Sequence, residues 1–276
     1  MQNNRLTSLR LVSVSKSYGP TRALVNVNLS VKRGEVVALM GANGAGKSTL
    51  AKIASGALRP DSGRIFVADR EVRLNSPRAA RNEGIVIVHQ STDQLGVPGL
   101  SVAENLLLDT LCDGRIGSLT GKRKLLQRAA VVAAGIDLDL PLERDFGELG
   151  PAHRQLVAIA RAIAANASVV ILDEPTASLA TTEIERLFQT IDQLRMRGVG
   201  FLYISHRLAD IRRVADRIVV LRNGQVVGDD FSTLNLSGAI KAMIGRDIYQ
   251  LGSNRAQRSS ASTCESSKEA GRSATA

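Results

Sequence analysis

Eight residues, GANGAGKS at 41–48, follow the pattern GxxxxGK[ST], in which every fixed residue type suits a phosphate group. Gly41, Gly44 and Gly46 tolerate left-handed backbone and let main-chain N–H groups approach phosphate oxygens, with Asn43 in the same cradle. Lys47 can set its ammonium against the β and γ phosphates, Ser48 can offer a hydroxyl to Mg²⁺, and Thr49 can add another to the phosphates. A chance glycine-rich turn can match such a pattern. Placement makes this match specific: it follows the strand-like VVALM and precedes the helix-like KSTLAKIASGAL, whose positive dipole end faces the loop.

A second acidic cluster points to the same chemistry. VVILDEP at 169–175 is a buried-type strand that ends in two carboxylates. Asp173 is placed to bind Mg²⁺, directly or through water, and Glu174 to orient or deprotonate an attacking water as the catalytic base. Acids after a strand often do no more than cap the next helix. The phosphate loop upstream favours the nucleotide reading.

The elements that must hold these groups follow from patterning. Short apolar runs (VVALM, IVIVH, VVIL, FLYIS, RIVVL) alternate with helix-length amphipathic segments, which implies a mostly parallel sheet covered by helices. Ahead of them, LRLVSVS and ALVNVNLSV alternate in polarity around a turn-like YGPT and predict an antiparallel β-subdomain. From about 91 to 165 the runs SVAENLLLDTL, KRKLLQRAAVVAAG and HRQLVAIARAIAAN predict an inserted helical subdomain, which accounts for the long gap between Lys47 and Asp173. The expected fold is therefore α/β, a parallel-sheet core of the P-loop NTPase, RecA-like kind, with residues 1–245 as one nucleotide-binding domain. Residues 246–276, rich in Ser and Ala with few large apolar side chains, are expected to form a disordered tail.

Composition sets outer bounds. Hydrophobic residues at 44% and charged ones at 22% suit a globular protein and exclude disorder throughout. Apolar runs are strand-sized, so no membrane-spanning helix is expected, and the first residues lack the apolar core of a secretory signal, which suggests a cytoplasmic location. Cys112 and Cys264 show no metal or redox spacing. The net charge of +10 could attract nucleic acid, but the basic residues are dispersed, aromatics are 3% and Trp is absent, which argues against direct nucleic-acid binding.

In the order and spacing of these motifs, residues 6–245 resemble the ATP-binding cassette (ABC) ATPases, and the resemblance implies further roles. Tyr18 matches the aromatic residue that stacks on adenine, and Gln90 the glutamine that touches Mg²⁺ or the attacking water and begins the segment facing the membrane partner. His206, in YISHRL, matches the switch histidine that hydrogen-bonds the γ-phosphate; His89 is read as a neighbour. The strings RPDSGRIFVADREVRLNSPRAARNEGIVIVHQ, GLSVAENLLL, DEPTASL, YISHRLADI and ADRIVVLRNGQVV look like the ATPases of ribose, xylose and galactose type sugar importers. That likeness implies ATP and Mg²⁺ as ligands, membrane permease subunits and a second cassette as partners, a periplasmic solute-binding protein as an indirect one, and a peripheral place on the cytoplasmic face of the inner membrane.

One motif departs from the family. The signature, LSGGQ or LSxGxxQ, opens a helix that grips the nucleotide held by the opposite subunit; here it reads LGPAHRQ, residues 149–155. Gly150 removes a serine hydroxyl from the γ-phosphate, a charged hydrogen bond worth about 1.5–3 kcal/mol. Ala152 adds a methyl where the family has glycine, which would crowd the site if that position needs positive φ. Pro151 suits a first helical position, and Gln155 keeps the family glutamine. Ala180 replaces an aspartate after DEPTASL. Because these defects would damage the partner's site, a heterodimer with an intact second cassette becomes attractive, a homodimer having two weakened sites. Alternatives are a weakly hydrolysing regulatory subunit and a non-transport ABC ATPase.

Overall fold

The first two strands show why the chain begins as an antiparallel sheet. In β1 (Thr7–Tyr18) and β2 (Thr21–Lys32), Leu9, Leu11 and Val14 and then Leu24, Val27, Leu29 and Val31 turn inward, while most residues between them stay at the surface. The pairing is interrupted by register shifts, with Ser13 and Asn26 at positive φ and the Ser13 N–H donating to Asn28 Oδ1 at 2.9 Å. With β4 (Ser62–Val67) and β5 (Arg70–Val72) they form a four-stranded sheet in the order β2-β1-β4-β5. We describe residues 6–89, 95–112, 121–135, 141–231 and 235–245 of a computed structural model; Gln90 and the segment 246–276 lie outside the described residues.

A six-stranded sheet forms the centre. Its strands are β3 (Val36–Met40), β6 (Ile85–Val88), β7 (Val169–Asp173), β8 (Gly200–Ile204), β9 (Arg217–Arg222) and β10 (Gln225–Phe231). They run in the order β10-β9-β3-β8-β7-β6, all parallel except β10, which is antiparallel to β9. Every residue of β3 and β8 is buried, as expected of strands covered on both faces, and burying each large aliphatic side chain contributes roughly 1.5–3 kcal/mol.

Alternation along β3 assigns the faces. Val37 and Leu39 pack toward the antiparallel sheet and α1 (Lys47–Ala54), and Ala38 and Met40 toward α8 (Leu208–Val214) and α9 (Leu236–Ile244). Val36 joins a third cluster with α3 (Val102–Leu106), α5 (Lys122–Ala134), α6 (Pro151–Ala164) and α7 (Thr181–Met196). The run SVAENLLLDTL forms two helices: α3 ends with Leu107 as its C-cap and α4 (Leu108–Cys112) follows. Within α3, Asn105 is fully buried because its amide donates to the carbonyls of Val97, Leu100 and Ser101 and its Oδ1 accepts from the Val97 N–H. Ser101 and Glu104 cap the same helix reciprocally, at 3.2 and 2.7 Å.

Helix starts follow local chemistry. Ser76 accepts from the Ala79 N–H at 3.1 Å ahead of Pro77, which opens α2 (Pro77–Asn82). Arg81 of α2 pairs with Asp109 of α4 at 2.8 Å, and Arg161 of α6 approaches the same carboxylate at 3.8 Å. One half-buried acid thus joins the helix beside β6 to two helices of the α3–α6 layer.

Candidate nucleotide site

Loops after three neighbouring strands carry the reactive groups. β3 lies beside β8, and β8 beside β7, so the carboxyl ends of these strands bring residues 41–47, 173–174 and 205–206 to one rim of the sheet. Ligands of open α/β sheets gather at such a rim.

The phosphate loop is built around Gly46. Its φ is +107°, and a Cβ there would stand 2.5 Å from the Ala23 carbonyl oxygen, so only glycine fits between the loop and β2. Beyond it α1 begins at Lys47 without a side-chain cap, leaving its first N–H groups free for an anion. Lys47 Nζ donates to the carbonyls of Gly41 at 2.7 Å and Ala42 at 3.1 Å. Burial pulls this ammonium below the usual lysine range, while the Glu174 and Asp173 carboxylates pull it back. Asn43, Gly44 and Ser48 are exposed on the loop and Thr49 is half-buried.

Asp173 and Glu174 end β7 side by side. Burial pushes the Asp173 carboxyl above its usual range and the Glu174 charge adds to that, against His89, Lys47 and Lys52. Glu174 has φ +48°, a left-handed value that a non-glycine residue rarely adopts. The strain is held by its N–H, which donates to Ile204 O of β8 at 2.9 Å. The Glu174 carboxylate meets His206 Nδ1 at 3.0 Å, so the two reactive side chains touch across neighbouring loops. The imidazole is otherwise open, with 67% of the side chain exposed.

Around this pair lies a cavity of about 540 Å³, lined by Gly41, Asn43, Glu174, Ser205 and His206 on one side and by Leu208, Ile240 and Met243 on the other. Sequence reasoning assigned nothing to Ser205, 2% exposed and accepting from the Arg207 N–H at 3.0 Å, or to the apolar wall from α9. No motif marks either one. Tyr18, at the end of β1, is 49% exposed, available for a flat ligand rather than committed to the core.

Comparison with known proteins identifies the family and the fold. The family model described as ABC transporter matches residues 24–177. The chain belongs to the ABC transporter family. Among its relatives, the ribose import ATP-binding protein RbsA of Chromobacterium violaceum is 43% identical over 244 residues, covering 85% of this chain. A putative ribose/galactose/methyl galactoside import ATP-binding protein of Burkholderia ambifaria is 40% identical over 241 residues, 87% of this chain. The chain spans 46% of the first relative's length and 47% of the second's. In three dimensions it is similar to an ATP-binding cassette of an ABC transporter solved in its ADP conformation, with TM-score 0.75 and 28% identity over 87% of this chain and 99% of that one. A dimeric cassette in a post-hydrolysis state with ADP and Pi gives TM-score 0.68 and 28% identity over 82% and 98%.

The start of α6 in this ABC cassette refines the sequence reading. Gly150 is its exposed N-cap, with no side-chain cap and nothing within 4 Å of where a Cβ would stand. Ala152 is 3% exposed within the helix and is absent from the positive-φ residues, so its methyl packs inward without left-handed strain. Gln155, read as a contact to the partner's nucleotide, is 3% exposed among buried neighbours in α6, and its Nε2 has no partner among the described residues. Ala180 is exposed ahead of α7, and its N–H donates to Glu183 Oε2 at 2.8 Å.

Proposed function

We propose that this chain is the ATP-binding and ATP-hydrolysing subunit of an importer for carbohydrate, working with membrane permease subunits, a second cassette and, indirectly, a periplasmic solute-binding protein at the cytoplasmic face of the inner membrane. The observation that carries the reading is the convergence of Lys47, Asp173, Glu174 and His206 at the ends of three adjacent strands, with Glu174 and His206 already 3.0 Å apart. The names of the relatives, ribose and galactose import ATP-binding proteins, support the substrate class. Residues 1–245 act as the cassette, with α3–α6 as its helical subdomain.

Each residue then has a task. The free N–H groups at the start of α1 and the loop around Gly46 hold the phosphates, and Lys47 exchanges its carbonyl partners for phosphate oxygens. Tyr18 offers its ring to the adenine. Glu174 holds the attacking water and takes its proton, while His206 donates to the γ-phosphate. The donor set suits Mg²⁺: a hard cation bound through one or two carboxylates plus phosphates fits the Ser48 hydroxyl and an Asp173 carboxylate whose charge burial disfavours. Bound there, the ion would supply charge neutralisation between the β and γ phosphates. Gln90 remains part of the proposed set.

A second reading, a weakly hydrolysing regulatory subunit, draws on Gly150. The purified chain should bind Mg-ATP and hydrolyse it slowly alone, and Lys47→Ala should abolish both. Binding that survives Lys47→Ala would sink the nucleotide assignment, and brisk turnover by a pure homodimer would sink the need for an intact second cassette.

A further inference from the structure

Four side chains that do not face the phosphates tie the loops after β7 and β8 together. Asp210, in the first turn of α8, is 3% exposed, and its Oδ2 accepts from the Thr176 hydroxyl and from the Tyr203 phenol, the latter at 3.4 Å. Arg207 Nε stands 3.7 Å from the same oxygen, and Arg207 Nη1 donates to the Thr176 carbonyl at 2.9 Å. Thr176 lies two residues after Glu174, and Arg207 directly follows His206. A buried carboxylate with one arginine and two hydroxyls therefore grips both loops one step behind the reactive pair.

An acid at the start of a helix can serve only that helix by facing its dipole. Here, among the described residues, Asp210 is held by Thr176, Tyr203 and Arg207 rather than by the N–H groups of α8. Burying such a group is costly, and apolar residues of the same volume often stabilise a fold as well or better. Glu174, for its part, is strained at φ +48° and needs its surroundings to hold it. Among the described residues, its own loop offers the Ala177 N–H to Glu174 O at 3.3 Å, besides the Glu174 N–H bond to β8.

We propose that Asp210 is a positioning residue: through Thr176 and Arg207 it fixes the segment after β7 against the segment after β8 and so sets the spacing of Glu174 and His206. The inference rests on the hydrolytic reading above for its consequence, but not for its geometry.

The test uses the full chain with Asp210→Asn, Thr176→Val and Thr176→Ser, measuring ATP affinity, kcat and KM, and the nitrogen-15 resonances of the His206 ring without nucleotide, identified by their loss in His206→Gln. A misplacement of about 1 Å can lower a rate by roughly a hundredfold, and Asp210→Asn should approach that in kcat while ATP affinity changes less than about twofold. Thr176→Val should move kcat and the His206 resonances in the same direction, and Thr176→Ser, which keeps the hydroxyl, should restore both. If Asp210→Asn does not fold, the two Thr176 variants decide. Folded variants with unmoved His206 resonances would overturn the proposal whether or not kcat falls. A wild-type chain that binds ATP without hydrolysing it would remove the hydrolytic reading alone, because the His206 resonances still report the spacing.

Discussion

The loop before α1 and the turn before α6 both end in an uncapped helix N-terminus, yet they are furnished very differently. Around the first, Lys47, Asp173, Glu174 and His206 gather at one rim of the sheet, and three of them bear a visible strain or desolvation: a half-buried ammonium, a carboxyl pushed up by burial, a glutamate in left-handed backbone. Around the second, Gly150 and Pro151 are exposed without hydroxyl or charge, Ala152 packs inward and Gln155 is buried. Groups poised for chemistry are held at a cost to the fold. A bare helix end carries none, so on the proposed reading the described residues equip the chain toward its own nucleotide far better than toward a partner's.

Breaking the equipped side should give the largest effect. Glu174→Gln keeps the shape of the side chain but cannot take a proton, and hydrolysis should fall by roughly 10²–10⁴-fold with ATP still bound, read from single-turnover kinetics and equilibrium binding. Near-normal turnover in that variant would take the base role away from Glu174. Repairing the sparse side comes next. Gly150→Ser has open space for its side chain. The hydroxyl would restore a bond of about 1.5–3 kcal/mol to the partner's phosphate, raising homodimer turnover by roughly tenfold or more. An unchanged rate would mean that something other than the missing hydroxyl limits that half.

Tyr18→Ala sharpens the contrast at smaller scale. Losing a stack of about 0.5–1.5 kcal/mol should weaken ATP binding by roughly two- to tenfold and leave kcat alone, as isothermal titration and steady-state rates would show. Smallest is an effect on the scaffold behind α6. Hydrogen bonds from the Ser101 hydroxyl and N–H hold the Glu104 carboxyl below its usual range. A group with a depressed folded pKa stabilises above its unfolded value and loses that contribution as pH falls through the folded one. Chemical unfolding followed below about pH 5 should therefore show a shallower acid loss in Glu104→Gln than in the wild type. Parallel acid limbs would remove Glu104 from the account.

The two sides also differed in how far residue order alone could reach. Asp173 ends an apolar strand run and His206 follows one closely, while Lys47 closes the glycine-rich loop after another, and a parallel sheet brings such ends to one rim. The antiparallel opening followed from the alternation of polarity in the first strands, whereas the order β10-β9-β3-β8-β7-β6 depends on crossovers that no residue pattern marks. Ala152 and Gln155 could not be placed, because a motif letter does not say which side of a helix turns inward; that depends on what α3, α5 and β6 bring against it. The burial of Asn105 depends on the loop before α3, whose carbonyls its amide satisfies. Asp210 was silent for the same reason: its partners come from two other segments, and nothing in LADIRRV marks one acid as buried.

Position 174 carries one more implication. A left-handed glutamate costs of order 1–3 kcal/mol, a burden that Gly would shed there and Asn would ease. On the proposed hydrolytic role, a descendant released from splitting ATP would be free to change at that position, gaining thermal stability as it lost the reaction. Glycine or asparagine between the Asp and the Pro of the Asp-x-Pro at the end of β7 would then be the fossil of a discarded motor.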